Sequence, residues 1–140
     1  MGEILPPSLD DLQALAEQAF AAIPPALARH VQGVAVLIED FPDAAVEQAM
    51  GLESPFDLLG LYHGVSLAEK SLGDVPQDLD RIFLYRRPIL DYWCETGEDL
   101  AHVVRHVLIH EIGHHFGLSD ADMEALEAQV RDDVRDDRAP

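Results

Sequence analysis

Apolar positions along the chain switch between helical and strand periods. Leu12, Leu15, Ala16, Ala19 and Phe20 recur at helical spacing. Ser8 stands before Leu9, Asp10 and Asp11, so it can cap that helix with acids in the first turn. Pro24-Pro25 ends the helix and is placed to start a short second one. Val34 to Ile38, mostly β-branched after Gly33, reads as a buried strand. Pro42-Asp43 opens a helix through about Met50. Leu58 to Tyr62 is a second strand, weakened by Gly60. Residues 64–80, with Gly64, Gly73 and Pro76, read as a loop. Arg81 to Arg86 is a third strand bounded by Pro88, and Asp91 to Thr96 a short helical turn.

From about Glu98, the residues Leu100, Val103, Val104, Val107, Leu108 and Ile109 mark a helix to about Phe116, with Gly117 where a helix commonly stops. A last helix is predicted from about Asp120 to about Val134. Met123, Leu126, Val130 and Val134 form its apolar stripe, and its polar end, from Asp132 onward, is expected to fray.

Composition narrows the class. The 140 residues, 48% of them hydrophobic, suit one compact domain, residues 1–140, with no need of disulfides to fold. The 27 acids against 9 bases give a net charge of −18, which opposes nucleic acid and anionic membranes as partners. A single cysteine, Cys94, forms no internal disulfide and fits a reducing compartment; beside Trp93 it reads as a core or boundary residue. The first residues show no secretory leader, and Pro6 breaks the myristoylation pattern begun by Gly2. No apolar run approaches the roughly 18 residues of a membrane span. The expected location is the cytoplasm.

Chemistry concentrates in His110-Glu111-Ile112-Gly113-His114-His115-Phe116-Gly117-Leu118-Ser119-Asp120. Helix positions four apart are rotated by about 40° and separated by about 6 Å, so the imidazoles of His110 and His114 can converge on one metal ion. Glu111, rotated by about 100° from His110, is not a ligand of that pair but can reach a water on the ion. A zinc hydrolase needs these parts: two neutral imidazoles, a third ligand, an open position and a carboxylate base. Gly117 permits a left-handed turn that brings Asp120 beneath the metal as third ligand.

Other readings of the neighbours stay open. Ser119 or Asp120 is also placed to cap the last helix, with Ser119 and Asp122 in capping-box spacing. Glu124 and Glu127, projecting from that helix, are alternative third ligands. His102 and His106 continue the series on the same face, but each turn lies about 5.4 Å further from the metal, so a structural role is expected. His115 reads as a helix C-terminal cation or surface residue. Tyr62, His63, Tyr85, Arg86 and Arg87 lie at strand ends, where one could stabilise an oxyanion, though ordinary strand-end roles are expected. Arg86 and Arg87 are expected to pair with surplus acids.

The run His110 to Asp120 resembles the metzincin zinc signature with Asp in place of the third His. More closely, the chain resembles a family of small bacterial zincin-like metallopeptidases, in this motif, in Gly60-Leu61-Tyr62, in Ile82 to Ile89 and in Asp120 to Glu124. The resemblance covers most of residues 30–130. It implies an α+β minimal zincin fold: a three- to four-stranded sheet, an active-site helix and a following C-terminal helix. Only 20 residues follow Asp120, and they read as helix. The subdomain with a Met-containing turn found in metzincins is therefore not expected, and Met123 sits on the apolar stripe.

The function expected is zinc-dependent hydrolysis of a peptide or protein substrate. His110, His114 and Asp120 hold Zn²⁺ and Glu111 is the general base. The alternatives are a non-catalytic zinc-binding or interaction module and, less favoured, a metal-dependent ribonuclease, which the net charge opposes. A His/His/Asp set would also accept other divalent ions.

Overall fold

The computed structural model describes residues 5–64 and 80–138, with side chains described as far as Val130. The predicted loop at 64–80 falls almost wholly outside these residues. Helix α1 (Leu9–Ala21) starts where the sequence places it: the Ser8 hydroxyl accepts from the Asp11 N–H at 3.0 Å, and the Asp11 carboxylate accepts from the Ser8 N–H at 2.8 Å. Leu12, Ala16 and Ala19 are its buried face. The short helix α2 (Pro25–Ala28) follows, with its proline in the first turn.

Three strands form one mixed sheet in the order β1 (Ala35–Glu39), β3 (Arg81–Tyr85), β2 (Gly60–His63). The central β3 pairs parallel with β1, Ala35 opposite Arg81, and antiparallel with β2, Gly60 opposite Leu84. The middle strand is the most buried, through Ile82, Leu84 and Tyr85, and β2 buries Gly60 and Tyr62. Strand β1 was expected to be buried. Among the described residues it is an edge strand instead: Ala35, Leu37 and Glu39 are exposed, and Val36 and Ile38 are half-buried. Its β-branched run reflects strand propensity rather than two-sided burial. Strand β2 begins at Gly60, two residues later than predicted, because Pro55–Asp57 forms a 3₁₀ turn and Leu58 follows as its cap. Helix α3 (Ala44–Met50) is capped by the Asp43 carboxylate, which accepts from the Val46 N–H.

Helix α4 (Arg86–Thr96) corrects two expectations. Pro88 does not end the chain's regular structure after β3. It occupies the first turn of a helix that begins at the strand's last residue, where a proline removes no intrahelical bond. The helix is thus more than a short turn at 91–96. Cys94, on this helix, is exposed rather than part of the core.

Helix α5 (Leu100–His115) is the spine of the molecule. Asp99 caps it, accepting from the Ala101 N–H. Val103, Val104, Leu108, Ile109 and Ile112 are fully buried against α1 and the sheet, each contributing roughly 1.5–3 kcal/mol of hydrophobic stabilisation. Gly117 closes the helix with a positive φ of 75°, and the Leu118 N–H returns to the Gly113 carbonyl at 2.8 Å. The chain then enters helix α6 (Asp120–Arg138), longer at its polar end than predicted. Gly113 lets α6 pack closely, since a Cβ there would collide with the Met123 sulfur. Met123, Glu127 and Val130 form its buried stripe. Among the described residues, six α-helices and a small three-stranded mixed sheet make an α+β fold, as the resemblance implies.

Candidate metal centre

Helix α5 carries His106, His110 and His114 one turn apart, with ring centroids 4.0 Å apart for the first pair and 5.7 Å for the second. Helix α6 runs back beside them, setting Asp120 opposite His114 and Glu127 opposite His106. Among the described residues two groups of ligand-capable side chains result, and they share His110. In one, ligand atoms of His110, His114 and Asp120 lie within 4.8 Å of one another. The His114 and Asp120 side chains are well exposed, and His114 Nε2 is 4.0 Å from Asp120 Oδ1. This is the predicted set, brought together by the turn at Gly117. In the other, His106, His110 and Glu127 meet the same limit.

Capping of α6 is settled in favour of Ser119. Its hydroxyl accepts from the Asp122 N–H, and the Asp122 carboxylate accepts from the Ser119 N–H. Asp120 takes no part in that exchange, so its carboxylate is available for other work. Glu124 is exposed on α6 and lines a cleft of about 380 Å³ with Tyr92, Glu98, His102, His106, His110 and Glu127.

His110 Nε2 and Glu127 Oε1 are both buried, and neither makes a hydrogen bond. Burial lowers the His110 pKa, with repulsion from His106 and His114 adding to it and the charges of Glu127 and Asp120 opposing. The ring is therefore biased towards the neutral state, with a lone pair to offer. Buried polar atoms without partners are rare, and a cation relieves both of these at once. Imidazole nitrogens and a carboxylate oxygen are also the donor chemistry of zinc-class ions. On these grounds the residues fit a divalent metal.

Glu111 leaves α5 on a different side, towards the sheet. Among the described residues strand β2 is an edge, and its register with β3 turns the main-chain groups of Gly60 and Tyr62 outward. The outward Tyr62 N–H donates to the Glu111 carboxylate. Burial pushes the Glu111 carboxyl up to about 7, with that hydrogen bond opposing. Glu111 is also among the acids that help burial push the Tyr85 hydroxyl up to about 12.

Residues 31–130 match the family of zincin-like metallopeptidases. The chain belongs to the zincin-like metallopeptidase family. No curated protein matches it. Membership associates this zincin-like chain with metal-dependent peptidase chemistry, typically on zinc, and with peptide or protein substrates. Among the described residues, no helix is long and apolar enough to cross a membrane.

The remaining predicted positions have partners elsewhere. The buried Tyr62 hydroxyl donates to Asp80 at 3.0 Å. Arg86 donates to the Pro7 carbonyl and pairs with Asp40 at 3.1 Å, as expected of a scarce base; Arg87 lies over the Phe41 ring. His63 is exposed and Tyr85 buried. His115, exposed in the last turn of α5, stacks on the Tyr62 ring at 3.8 Å. His102 lies 3.9 Å from Glu98. His106, partly buried and 2.6 Å from the buried Glu127 carboxylate, is placed as a structural residue would be, and the same position puts it in a ligand-capable group. A signal for this was available: Glu127 falls four residues after Met123 and three before Val130, on the buried stripe, where an unpaired acid is costly.

Proposed function

We propose that this zincin-like chain is a zinc-dependent metallopeptidase in which His110, His114 and Asp120 hold the ion and Glu111 is the general base. The carrying observation is that His110 presents a buried, unpartnered imidazole nitrogen one residue from a carboxyl lifted to about 7. When bound, a zinc ion supplies Lewis-acid polarisation of the scissile carbonyl and acidifies water. His110 and His114 contribute neutral nitrogens, and Asp120 an anionic oxygen that offsets part of the ion's charge.

Glu111 works on the proton. A carboxyl with a pKa near 7 accepts a proton from the attacking water and holds it at Oε while the tetrahedral centre forms. It then delivers that proton to the departing amine nitrogen as the C–N bond breaks, so the proton count balances. The Tyr62 N–H anchors the carboxylate beside β2. The outward main chain of Gly60 on the same edge suits an extended peptide added as a further strand. A net charge of −18 favours basic or neutral substrates over acidic ones. The single cysteine suits action in a reducing compartment, for which the cytoplasm is our reading.

Elemental analysis of the purified protein beside a His110→Ala variant tests the metal. About one ion per chain, lost in the variant, is the expected result. A peptide-library digest with Glu111→Gln tests the chemistry. This variant should retain the ion and lose cleavage by on the order of a hundredfold or more. Undiminished turnover would remove Glu111 from the mechanism.

A further inference from the structure

We infer that His106, His110 and Glu127 form a second, buried station for a zinc-class divalent ion, one helical turn from the open set and sharing His110 with it. The station stands on its own residues and does not rest on the hydrolytic reading. Glu127 is 5% exposed, yet no lysine or arginine is recorded in an ion pair with it among the described residues. Its Oε1 lies 2.6 Å from His106 Nδ1 and 3.6 Å from His110 Nε2. Despite that closeness, Oε1 makes no hydrogen bond, and neither does His110 Nε2.

The competing explanation is a protonated His106 paired with Glu127. That pair would satisfy one oxygen but leave the buried His110 Nε2, 3.6 Å from the same oxygen, without a partner. Ligand atoms of His106, His110 and Glu127 all lie within 4.8 Å of one another, close enough to be drawn onto one ion. Two nitrogens and one carboxylate oxygen select zinc, cobalt or nickel over calcium and magnesium, which favour all-oxygen sets.

Burial distinguishes this station from the open one. The Asp120 side chain is 86% exposed, and water competes for it freely. Glu127 is almost dry, so its attraction for a cation is screened much less. Glu124 and Glu98 line the cleft that opens onto the station, and their charges favour entry of a cation. A neutral imidazole offers one lone pair, so His110 serves one ion at a time. An ion seated between His106 and Glu127 therefore withdraws His110 from His114 and Asp120. The two stations exclude each other.

The test is cobalt(II) binding, followed by equilibrium dialysis and visible absorption in three backgrounds. A His114→Ala/Asp120→Ala protein lacks the open set and should still bind about one Co²⁺ per chain. Adding Glu127→Gln, or separately His106→Ala, to that protein should weaken binding at least about tenfold. His106 is partly exposed and glutamine keeps the shape of Glu127, and circular dichroism of each variant confirms that the fold persists. Loss of all Co²⁺ binding in the folded His114→Ala/Asp120→Ala protein would overturn the inference. So would residual binding indifferent to both further substitutions. Neither outcome depends on peptide cleavage, so failure here is separable from failure of the peptidase reading.

Discussion

Replacing Glu111 by glutamine should stabilise the metal-free protein at alkaline pH. Burial lifts this carboxyl from 4.5 to about 7 in the folded chain, whereas the unfolded chain leaves it in water. Between those two values the folded state keeps a proton that the unfolded state has released, so stability falls as pH rises through the interval. Near pH 8 the folded carboxylate is ionised and bears nearly the full cost, on the order of 3 kcal/mol. Solvent reaching this half-buried group reduces the figure, and a gain of about 1–3 kcal/mol is expected for Glu111→Gln. The glutamine oxygen can still accept from the Tyr62 N–H, so that donor keeps its partner. Urea unfolding of both proteins with metal chelated, at pH 8 and near pH 4.5, is the assay. The midpoint difference should be large at pH 8 and shrink to well under about 1 kcal/mol near pH 4.5, with m unchanged. Equal stability at pH 8, or a gap that ignores pH, would show that Glu111 is not desolvated against the edge of β2.

Three further outcomes follow from the hairpin of α5 and α6. Gly117→Ala places a Cβ at a φ of 75° and should cost about 1 kcal/mol, seen as a lower thermal midpoint, while weakening metal affinity by disturbing the approach of Asp120. Met123→Ala empties a fully buried site and should cost roughly 2–5 kcal/mol in denaturant unfolding. Ser119→Ala removes the α6 cap and should cost about 0.5–2 kcal/mol, with zinc stoichiometry by elemental analysis unchanged because the Asp120 carboxylate is untouched.

Much of this was legible in the residues because the deciding interactions are local. A serine accepting from an N–H three residues ahead fixes the start of α1, and the pattern at Ser8 shows it; the carboxylates of Asp43 and Asp99 do the same for α3 and α5, close to where the sequence starts those helices. The pairing of His110 with His114 needs only helical rotation, and the return to Asp120 needs only Gly117. What escaped depends on neighbours distant in sequence. Edge or centre position in a sheet is a matter of strand order, so the run Val34 to Ile38 could not reveal that β1 lies outermost. Pro88 marks both a strand's end and a helix's first turn, and only the packing of Ile89 and Pro88 into the core decides between them. The apposition of Glu127 to His106 depends on how closely α6 packs on α5, which the small side of Gly113 allows but does not announce.

Every candidate metal ligand, from His106 to Glu127, belongs to a single helix–turn–helix stretch of the chain. The groups that would meet a substrate, at the outer rim of β2, come from a separate stretch more than forty residues earlier. On the proposed reading, ion chemistry and substrate choice are thus encoded in different parts of the gene product. Divergence along the rim can retarget the protein while the cation grip is inherited intact, whereas a one-residue insertion at Leu118 would disable the grip at both positions in a single step.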